Sequence, residues 1–386
     1  MWRKFDLPNT MKTCAARCFF LTLSLCLFSC KDDFVADINA SSGAMHKPPV
    51  TSNTALFDQV VRLPRIRSAA FLGTNLAWLA PFEGRHLLFT EDGGANWSKV
   101  PAPKLRSHSC ISFIDAHRGW ALSNIERKGK VLRTRDGGRT WSIISTLKSA
   151  DPEWDFTSAS KIVFTDELHG WIIETFSAWY TFDGGLNWTE VTPPAMKKGG
   201  QPVCGFFLNS LKGWICSLEG PLFFTADSGK TWQSQTFPGN ANVQDVTFVD
   251  EKTGWLIRND GQLYNTKDGG KSWQVQPELY KEISLDSVYF PGKEEGWTIG
   301  RKIVGHYRAG ESIDAEKLFR GTVLHTTNGG QSWQPVRIGK DEPFFDRIYF
   351  TDLEHGWLLS LDNVYRTTDR GRTWRRVLNV PSIMAR

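Results

Sequence analysis

The residues that could carry chemistry recur at one position of a repeated motif. Seven segments of the form T-x-D-G-G-x-x-W occur, and their tryptophans are 41 to 60 residues apart. The acidic or amide positions are Asp92, Asp136, Asp183, Asp227, Asp268, Asn328 and Asp369. The six carboxylates could bind cations or transfer protons, but an Asp before two glycines also accepts hydrogen bonds from its own tight turn. We therefore interpret these Asp-box residues as structural.

A second motif, F-x-D-x-x-x-G-W, precedes each box by about 20 residues and is degenerate in its first copy, Phe71 to Trp78. Each pair of motifs predicts four short strands, A to D, in which strand B begins at Gly-Trp and strand D at the box tryptophan. One small sheet cannot bury both faces, so such repeats stack around an axis. The sequence predicts an all-β, seven-bladed β-propeller over residues 55–386, with Leu56 to Leu63 adding a closing strand to the last blade.

The N-terminal segment has the pattern of a secretory signal. Lys12 and Arg17 precede an apolar run from Cys18 to Phe28, which is too short to span a bilayer permanently. The run ends in Leu-Phe-Ser-Cys, which resembles a bacterial lipobox and predicts lipid attachment at Cys30. We expect a signal peptide over residues 1–30, a polar tether over 31–54 and an exported lipoprotein at the outer membrane or cell surface. The start at Met1 or Met11 and the membrane face that holds the anchor stay open.

The two repeated motifs together resemble the photosystem II assembly factor family (Ycf48/Hcf136-like), over about residues 66 to 380. The resemblance implies a seven-bladed propeller, often lipid-anchored, that binds a membrane-protein partner during assembly and catalyses no reaction. The Asp box alone is less specific, because sialidases and other glycoside hydrolases also carry it. Whether the host is photosynthetic stays open.

The order of strands predicts two different faces of the disc. The A–B and C–D turns, with the boxes, share one face, called here the Asp-box face. The B–C and D–A connections share the other, called the hairpin face, which carries the longest insertion, from Gly300 to Gly321. An ordinary solvated insertion is the alternative to a binding role. The candidate partner-binding residues are Glu83, Arg85, Arg127, Trp154, Arg301, Lys302, His306, Tyr307, Arg308 and Arg320.

These features favour a monomeric, non-enzymatic protein-binding or assembly scaffold whose partner is a membrane or envelope protein. The alternative is a cell-surface glycan-binding protein or a sialidase-like glycoside hydrolase, since Val61-Arg62-Leu63-Pro64 has the shape of a sialidase F-R-I-P segment. The remaining sialidase positions cannot be assigned, so no catalytic residue is predicted. The net charge of +5 is too small to indicate nucleic acid binding. The scattered histidines predict no metal site, and no cofactor is expected.

Two cysteines flank the second motif of blade 4. If Phe206 lies opposite Trp214, then Cys204 lies opposite Cys216, and an exported protein could oxidise them to a disulfide. Two buried thiols are the alternative, and the sequence does not decide between them. Cys110 occupies the position in blade 2 that matches Cys204, but its expected partner is Leu122.

Overall fold

The structure is a computed structural model. The chain divides between Val61 and Arg62, and only the second unit contains described residues. The described residues are 66–81, 85–102, 105, 110–125, 128–147, 159–174, 177–196, 202–217, 221–235, 242–277, 282–304, 319–339, 342 and 344–384. Among them, no helix is both long enough and apolar enough to cross a bilayer.

Twenty-eight strands form seven four-stranded antiparallel sheets, each built from one contiguous segment. Blades 1 to 3 contain β1 (Ile66–Leu72), β2 (Leu76–Pro81), β3 (His86–Thr90), β4 (Ser98–Pro101), β5 (Cys110–Phe113), β6 (Gly119–Ile125), β7 (Lys128–Thr134), β8 (Ser142–Leu147), β9 (Ala159–Phe164), β10 (Gly170–Glu174), β11 (Ala178–Thr181) and β12 (Thr189–Glu190).

Blades 4 to 7 follow the same pattern and end in one short helix. They contain β13 (Pro202–Phe207), β14 (Gly213–Ser217), β15 (Leu222–Thr225), β16 (Gln233–Gln235), β17 (Val243–Phe248), β18 (Gly254–Arg258), β19 (Leu263–Thr266), β20 (Gln274–Val275), β21 (Ile283–Tyr289), β22 (Gly296–Ile303), β23 (Phe319–Thr326), β24 (Gln334–Val336), β25 (Phe345–Phe350), β26 (Gly356–Ser360), β27 (Asn363–Thr367), β28 (Arg375–Asn379) and α1 (Val380–Met384). The seven-bladed propeller predicted from the repeats is confirmed.

The core consists of seven apolar clusters, one at each interface between consecutive blades. At each interface the indole of the second motif's tryptophan in one blade stacks on a motif phenylalanine of the next. The ring centroids are 3.5 to 4.5 Å apart at six interfaces and 5.0 Å apart at the seventh, between Trp357 and Phe71. These tryptophans are almost fully buried. The repeat therefore encodes its own interface, since both motifs contribute to every cluster.

The ring closes by contact between blade 7 and blade 1. Trp357 and Leu359 share an apolar cluster with Ile66 and Leu79. Arg366 of blade 7 donates hydrogen bonds to the carbonyl oxygens of Gly93 (2.8 Å) and Thr74 (2.5 Å) in blade 1. All four strands of blade 7 come from residues 345–379. The predicted closing strand, Leu56 to Leu63, lies outside the described residues.

The innermost A strands carry a feature that the repeats did not predict. In six of the seven A strands the pairing with strand B shifts by one residue near the start, which is a β-bulge. The residues before Cys110 in the remaining A strand lie outside the described part of the chain. Asp286 is the bulge residue of blade 6. Each bulge inserts one extra residue near the hairpin face. It thereby interrupts the regular alternation of side chains between the two faces of the sheet.

Candidate functional site

The seven Asp boxes share one hydrogen-bond geometry. The threonine hydroxyl two residues before the Asp or Asn donates to its Oδ1 at 2.8 to 2.9 Å. The backbone amide four residues after it donates to the same oxygen at 2.8 to 2.9 Å. The second oxygen of each Asp accepts a bond from the side chain four residues on. Each carboxylate is thus already used within its own turn.

These bonds hold the box carboxylates in their charged form. Bonds from the Asn96 amide and side chain lower the pKa of Asp92 to about 2, and bonds from the Ser272 side chain and amide lower the pKa of Asp268 to about 2. A proton-transferring carboxyl needs a pKa near the working pH, so these groups are poorly suited to acid–base chemistry. Within the described part of the chain, no group of three or more His, Cys, Asp or Glu residues could hold a metal ion.

The box turns and the A–B turns lie on the same face of the disc. Within each blade, an amide of the box turn donates to a carbonyl of the A–B turn, as Gly184 does to Leu168 and Gly269 to Lys252 at 2.8 to 2.9 Å. The described candidate partner-binding residues are on the opposite, hairpin face. Of these, Arg85, Arg301, Lys302 and Arg320 are described. Outside the described residues lie Glu83, Arg127, Trp154, His306, Tyr307 and Arg308.

The insertion in blade 6 begins later than the sequence predicts, because the B–C hairpin is longer. Strands β22 and β23 pair over eight residues each, up to Ile303 opposite Phe319. Gly300, Arg301 and Lys302 are therefore strand residues, and so are Arg320 and Gly321, which were expected in the insertion. Val304 continues the chain as an exposed residue. The hairpin thus extends the rigid sheet on the hairpin face.

Arg301 is a buried residue that stabilises the hairpin. Its inclusion among the candidate partner-binding residues was therefore wrong. It is 7% exposed, and its Nη2 lies 3.1 Å from Oδ1 of Asp286. Its guanidinium also lies over the Phe319 ring, 5.5 Å from the centroid. Removing one partner of a buried ion pair leaves the other charge uncompensated, so this pair fixes the base of the hairpin. The A-strand bulge brings Asp286 into this position.

Lys302 and Arg320 are the described basic residues on the side of the hairpin opposite to Arg301. They pair directly across β22 and β23. Lys302 is exposed and lies 3.4 Å from Glu282, which is exposed as well. Arg320 is partly buried and donates to the carbonyl of Phe319 at 2.9 Å. Two positive charges at neighbouring positions of the hairpin are suited to an acidic partner.

Two buried carboxylates near the hairpin face are engaged by neighbouring side chains. Glu174 is 3% exposed, and burial raises its pKa, while the Ser177 hydroxyl donates to its Oε2 at 2.7 Å. Glu342 is 6% exposed and accepts bonds from Asn363 (2.9 Å) and the Tyr365 hydroxyl. Both groups connect segments of the scaffold. Neither the spacing nor the motifs predicted them.

A group of charged residues on the A strands was also missed by the sequence analysis. Lys161, Asp245 and Arg347 each stand three residues before the motif phenylalanine of their blade, as Cys110 does. Lys161 donates to the Gly205 carbonyl (2.8 Å), and Ser287 donates to Asp245 (2.6 Å), in both cases between consecutive blades. Burial lowers the pKa of Lys161 and raises the pKa of Asp245 and of Cys110, and the charges of Lys161 and Asp245 act on each other. Their shared position, three residues before the motif phenylalanine, was the signal in the sequence that could have identified them.

The cysteines have the pairing register that the sequence predicted. Phe206 lies opposite Trp214, and Cys204 lies opposite Cys216 with its Cα 5.1 Å away. The two sulfur atoms are bonded. Cys110 is buried opposite Leu122. The disulfide joins strands A and B of blade 4.

Comparison with known proteins identifies relatives by sequence. A sequence model described as "Photosynthesis system II assembly factor YCF48" matches residues 96–239 and 230–314, more than half of the chain. The chain is similar to the chloroplast photosystem II stability/assembly factor HCF136 of Guillardia theta, with 30% identity over 38% of this chain and 37% of that protein. It is also similar to the photosystem II assembly lipoprotein Ycf48 of Picosynechococcus sp., with 34% identity over 16% of this chain and 19% of that protein. The alignments thus span little more than a third and about a fifth of these relatives.

Solved structures share the fold at low sequence identity. A structure described as YCF48 bound to D1 peptide has a TM-score of 0.59 and 21% identity, over 81% of this chain and 93% of that chain. The GH74 xyloglucanase of Xanthomonas campestris has a TM-score of 0.63 and 12% identity, over 83% of this chain and 55% of that chain. Because assembly factors and hydrolases share this fold, these similarities establish architecture and not activity. The sequence match is what assigns the family: the chain belongs to the photosystem II assembly factor YCF48 family.

Proposed function

We propose that this protein is a non-enzymatic binding scaffold whose hairpin face docks a membrane or envelope protein during assembly. Family membership supports this proposal, and so does the description of one relative's structure as bound to D1 peptide. The observation that carries it is the extended β22–β23 hairpin, which rests on the buried Arg301–Asp286 pair and presents Lys302 and Arg320. A rigid hairpin with outward cations is suited to an acidic or polar protein segment.

The proposal includes export and a lipid anchor at Cys30, supported by the lipobox-like sequence and by the relative named as a lipoprotein. An anchored propeller would remain beside its membrane partner, which raises the local concentration of both. The outer membrane or the cell surface is the proposed location. Labelling with a radioactive fatty acid tests the anchor: the wild type should incorporate label and Cys30→Ser should not. Label in both proteins would place the anchor elsewhere.

Affinity purification from native membranes, followed by mass spectrometry, tests the docking proposal. The variant Lys302→Glu with Arg320→Glu should recover at least about tenfold less of a specific membrane protein, because two attractive charges become repulsive. Arg370→Glu with Arg372→Glu is the matched control, since it reverses two exposed arginines on the Asp-box face. Arg301 is left unchanged because its loss would disturb the hairpin. Equal recovery by all three proteins, or recovery of no protein, would refute the proposal.

A glycoside hydrolase is the competing function, because the GH74 fold is similar and Glu174 has a raised pKa. A glycosidase needs two carboxyl groups facing one cleft. In the described part of the chain, Glu174, Glu342, Asp286 and Asp245 are each bonded to neighbouring side chains. A panel of oligosaccharides separates the two functions: hydrolysis by the wild type that Glu174→Gln abolishes would establish an enzyme.

A further inference from the structure

The box turns present two outward positions in every blade, and blade 3 differs from the others at both. These are the residue before the box Asp and the third residue after it. The pairs, in blade order, are Glu91 and Ala95, Arg135 and Arg139, Phe182 and Leu186, Ala226 and Lys230, Lys267 and Lys271, Thr327 and Gln331, and Thr368 and Arg372, all exposed. Phe182 is 64% exposed and Leu186 is 49% exposed. Large apolar side chains at both positions occur in blade 3 only.

Two leucines on the A–B turns extend this apolar surface. Leu168 of blade 3 and Leu211 of blade 4 are each 53% exposed. The carbonyl of Leu168 accepts a bond from Gly184 of its box, and the carbonyl of Leu211 accepts one from Ser228, both at 2.9 Å. Phe182, Leu186, Leu168 and Leu211 therefore project from the same face of two consecutive blades. We call these four residues the apolar tips.

Cations flank the apolar tips on both sides. Arg135 and Arg139 occupy the outward positions of blade 2, and Lys230 occupies one of those of blade 4. Several nearby acids have partners: Arg118 contacts both Glu167 and Asp115 at 2.5 Å, Lys212 contacts Glu251, and His169 contacts Asp166 at 2.8 Å. The carboxylate of Asp183 is used within its own turn. The outward positions of the two flanking blades are thus basic or uncharged, and the tips themselves carry no charge.

We propose that this part of the Asp-box face docks on an anionic lipid bilayer. The tips are the apices of separate turns, and a bilayer interface receives convex apolar tips without a complementary pocket. Phe and Leu favour insertion at the boundary between headgroups and acyl chains, and each Arg or Lys near an anionic surface adds attraction. The proposed protein-docking surface is on the opposite face, so different residues test the two proposals.

Hydrogen–deuterium exchange of the full chain tests the proposal locally. The probe is vesicles of phosphatidylcholine with about one quarter phosphatidylglycerol, compared with pure phosphatidylcholine. The anionic vesicles should slow exchange in residues 181–188 and 208–212 and leave the blade 6 turn, residues 326–333, unchanged. Equal slowing in both sets of turns, no slowing at all, or equal slowing with neutral vesicles would overturn the proposal.

Variants identify the side chains responsible. Phe182→Ser with Leu186→Ser should lower the vesicle-dependent slowing in residues 208–212 and weaken partitioning about tenfold or more, because two large apolar side chains no longer leave water. Arg135→Glu with Arg139→Glu should reduce partitioning to anionic vesicles only. Ile143→Ser with Val275→Ser, which removes exposed apolar groups from D strands, is the matched control and should bind as the wild type. A control that fails like the tip variant, or tip and charge variants that bind normally, would contradict the proposal.

Discussion

At the residue scale, the Asp268 carboxylate explains why an acidic side chain recurs in six of the seven boxes. It accepts bonds from the Thr266 hydroxyl (2.8 Å), the Ser272 amide (2.9 Å) and the Ser272 hydroxyl (2.6 Å). Blade 6 has Asn328 at this position, which accepts the first two bonds with its oxygen and donates to Ser332 with its nitrogen (2.8 Å). An amide can therefore replace the carboxylate because Ser332 accepts a bond where Ser272 donates one.

The Asn328 turn predicts how Asp268→Asn would behave. At neutral pH the variant should lose less than about 1 kcal/mol, since the hydrogen bonds are retained. The folded pKa of Asp268 is about 2, below the ordinary value of 3.8, so its ionisation stabilises the fold above pH 4 and this stabilisation is lost as the pH falls toward 2. Thermal unfolding from pH 7 to pH 2 should therefore show a smaller acid-induced decrease in Tm for the variant. An identical or steeper decrease would show that the turn does not depress this pKa.

Arg370 occupies a backbone conformation that favours glycine. Its φ is +62°, and in the other boxes except that of blade 4 the same position is glycine. Arg370→Gly should stabilise the protein by about 0.5 to 1 kcal/mol, because the cost of left-handed backbone exceeds the added entropy of the unfolded chain. Ser228→Gly is the control: Ser228 has φ +64° but its hydroxyl donates to Ser210 (2.9 Å), so its gain should be smaller. Urea unfolding measures both, and a destabilised Arg370→Gly would refute this explanation.

At the element scale, the Gly-Trp pair shows how one motif positions two strands. A Cβ on Gly254 would lie 2.5 Å from the Phe248 ring on the paired strand A. The absence of that Cβ lets Phe248 stack on Trp214 of the preceding blade, with centroids 3.6 Å apart. Blade 1 has Ala77 at this position, and there the stacked rings, Phe71 and Trp357, are 5.0 Å apart. The glycine is needed for the close approach of the two strands' side chains.

Gly254→Ala should therefore destabilise the protein by about 1 to 3 kcal/mol, since the added methyl group displaces the Phe248 ring from its stack. The reverse change in blade 1, Ala77→Gly, should cost less, because the rings there already stand further apart. Tm values and the near-ultraviolet circular dichroism of the tryptophans measure the two effects. Equal losses for both variants would mean that backbone flexibility, and not the ring contact, explains the glycine.

At the scale of the whole molecule, the ring closes with side chains and not with a shared sheet among the described strands. At three other interfaces the indole of the second motif's tryptophan, as in Trp120, donates to the carbonyl of the first box glycine of the next blade. Between blades 7 and 1 the donor is the Arg366 side chain and not an indole, and the acceptor is the equivalent carbonyl, that of Gly93. It also lies over the Trp357 ring at 5.4 Å. One charged side chain thus connects the ends of the repeat.

Arg366→Ala should lower the free energy of unfolding by about 2 to 3 kcal/mol, because two charged hydrogen bonds to buried or partly buried carbonyls are lost. Trypsin susceptibility near Ile66 and Arg376 should increase, since these residues flank the closure. Arg372→Ala, an exposed arginine of the same blade, is the control and should change stability by less than about 0.5 kcal/mol. Equal stability of the two variants would mean that apolar packing alone closes the ring.

Much of the architecture follows from the sequence because the repeat determines strand order, box turns and interface tryptophans together. The register around Phe206 and Trp214 placed Cys204 opposite Cys216 for the same reason. The bulges were not predictable, because the extra residue leaves no mark on the alternation of short A strands. The burial of Arg301 was missed for that reason, since its partner Asp286 is a bulge residue. Sites that depend on one blade, such as the apolar tips, are visible only when blades are compared position by position.

Site-specific photocrosslinking in native membranes tests the central claim most directly. A photoreactive benzoylphenylalanine would replace Arg85, Lys302 or Arg320 on the hairpin face, and Thr327 or Gln331 on the Asp-box face of blade 6. If the protein is a scaffold, the first set should form an adduct with one membrane or envelope protein and the second set should form none with it. Adducts with that protein from the Asp-box face alone, or no protein adduct from either face, would contradict the account.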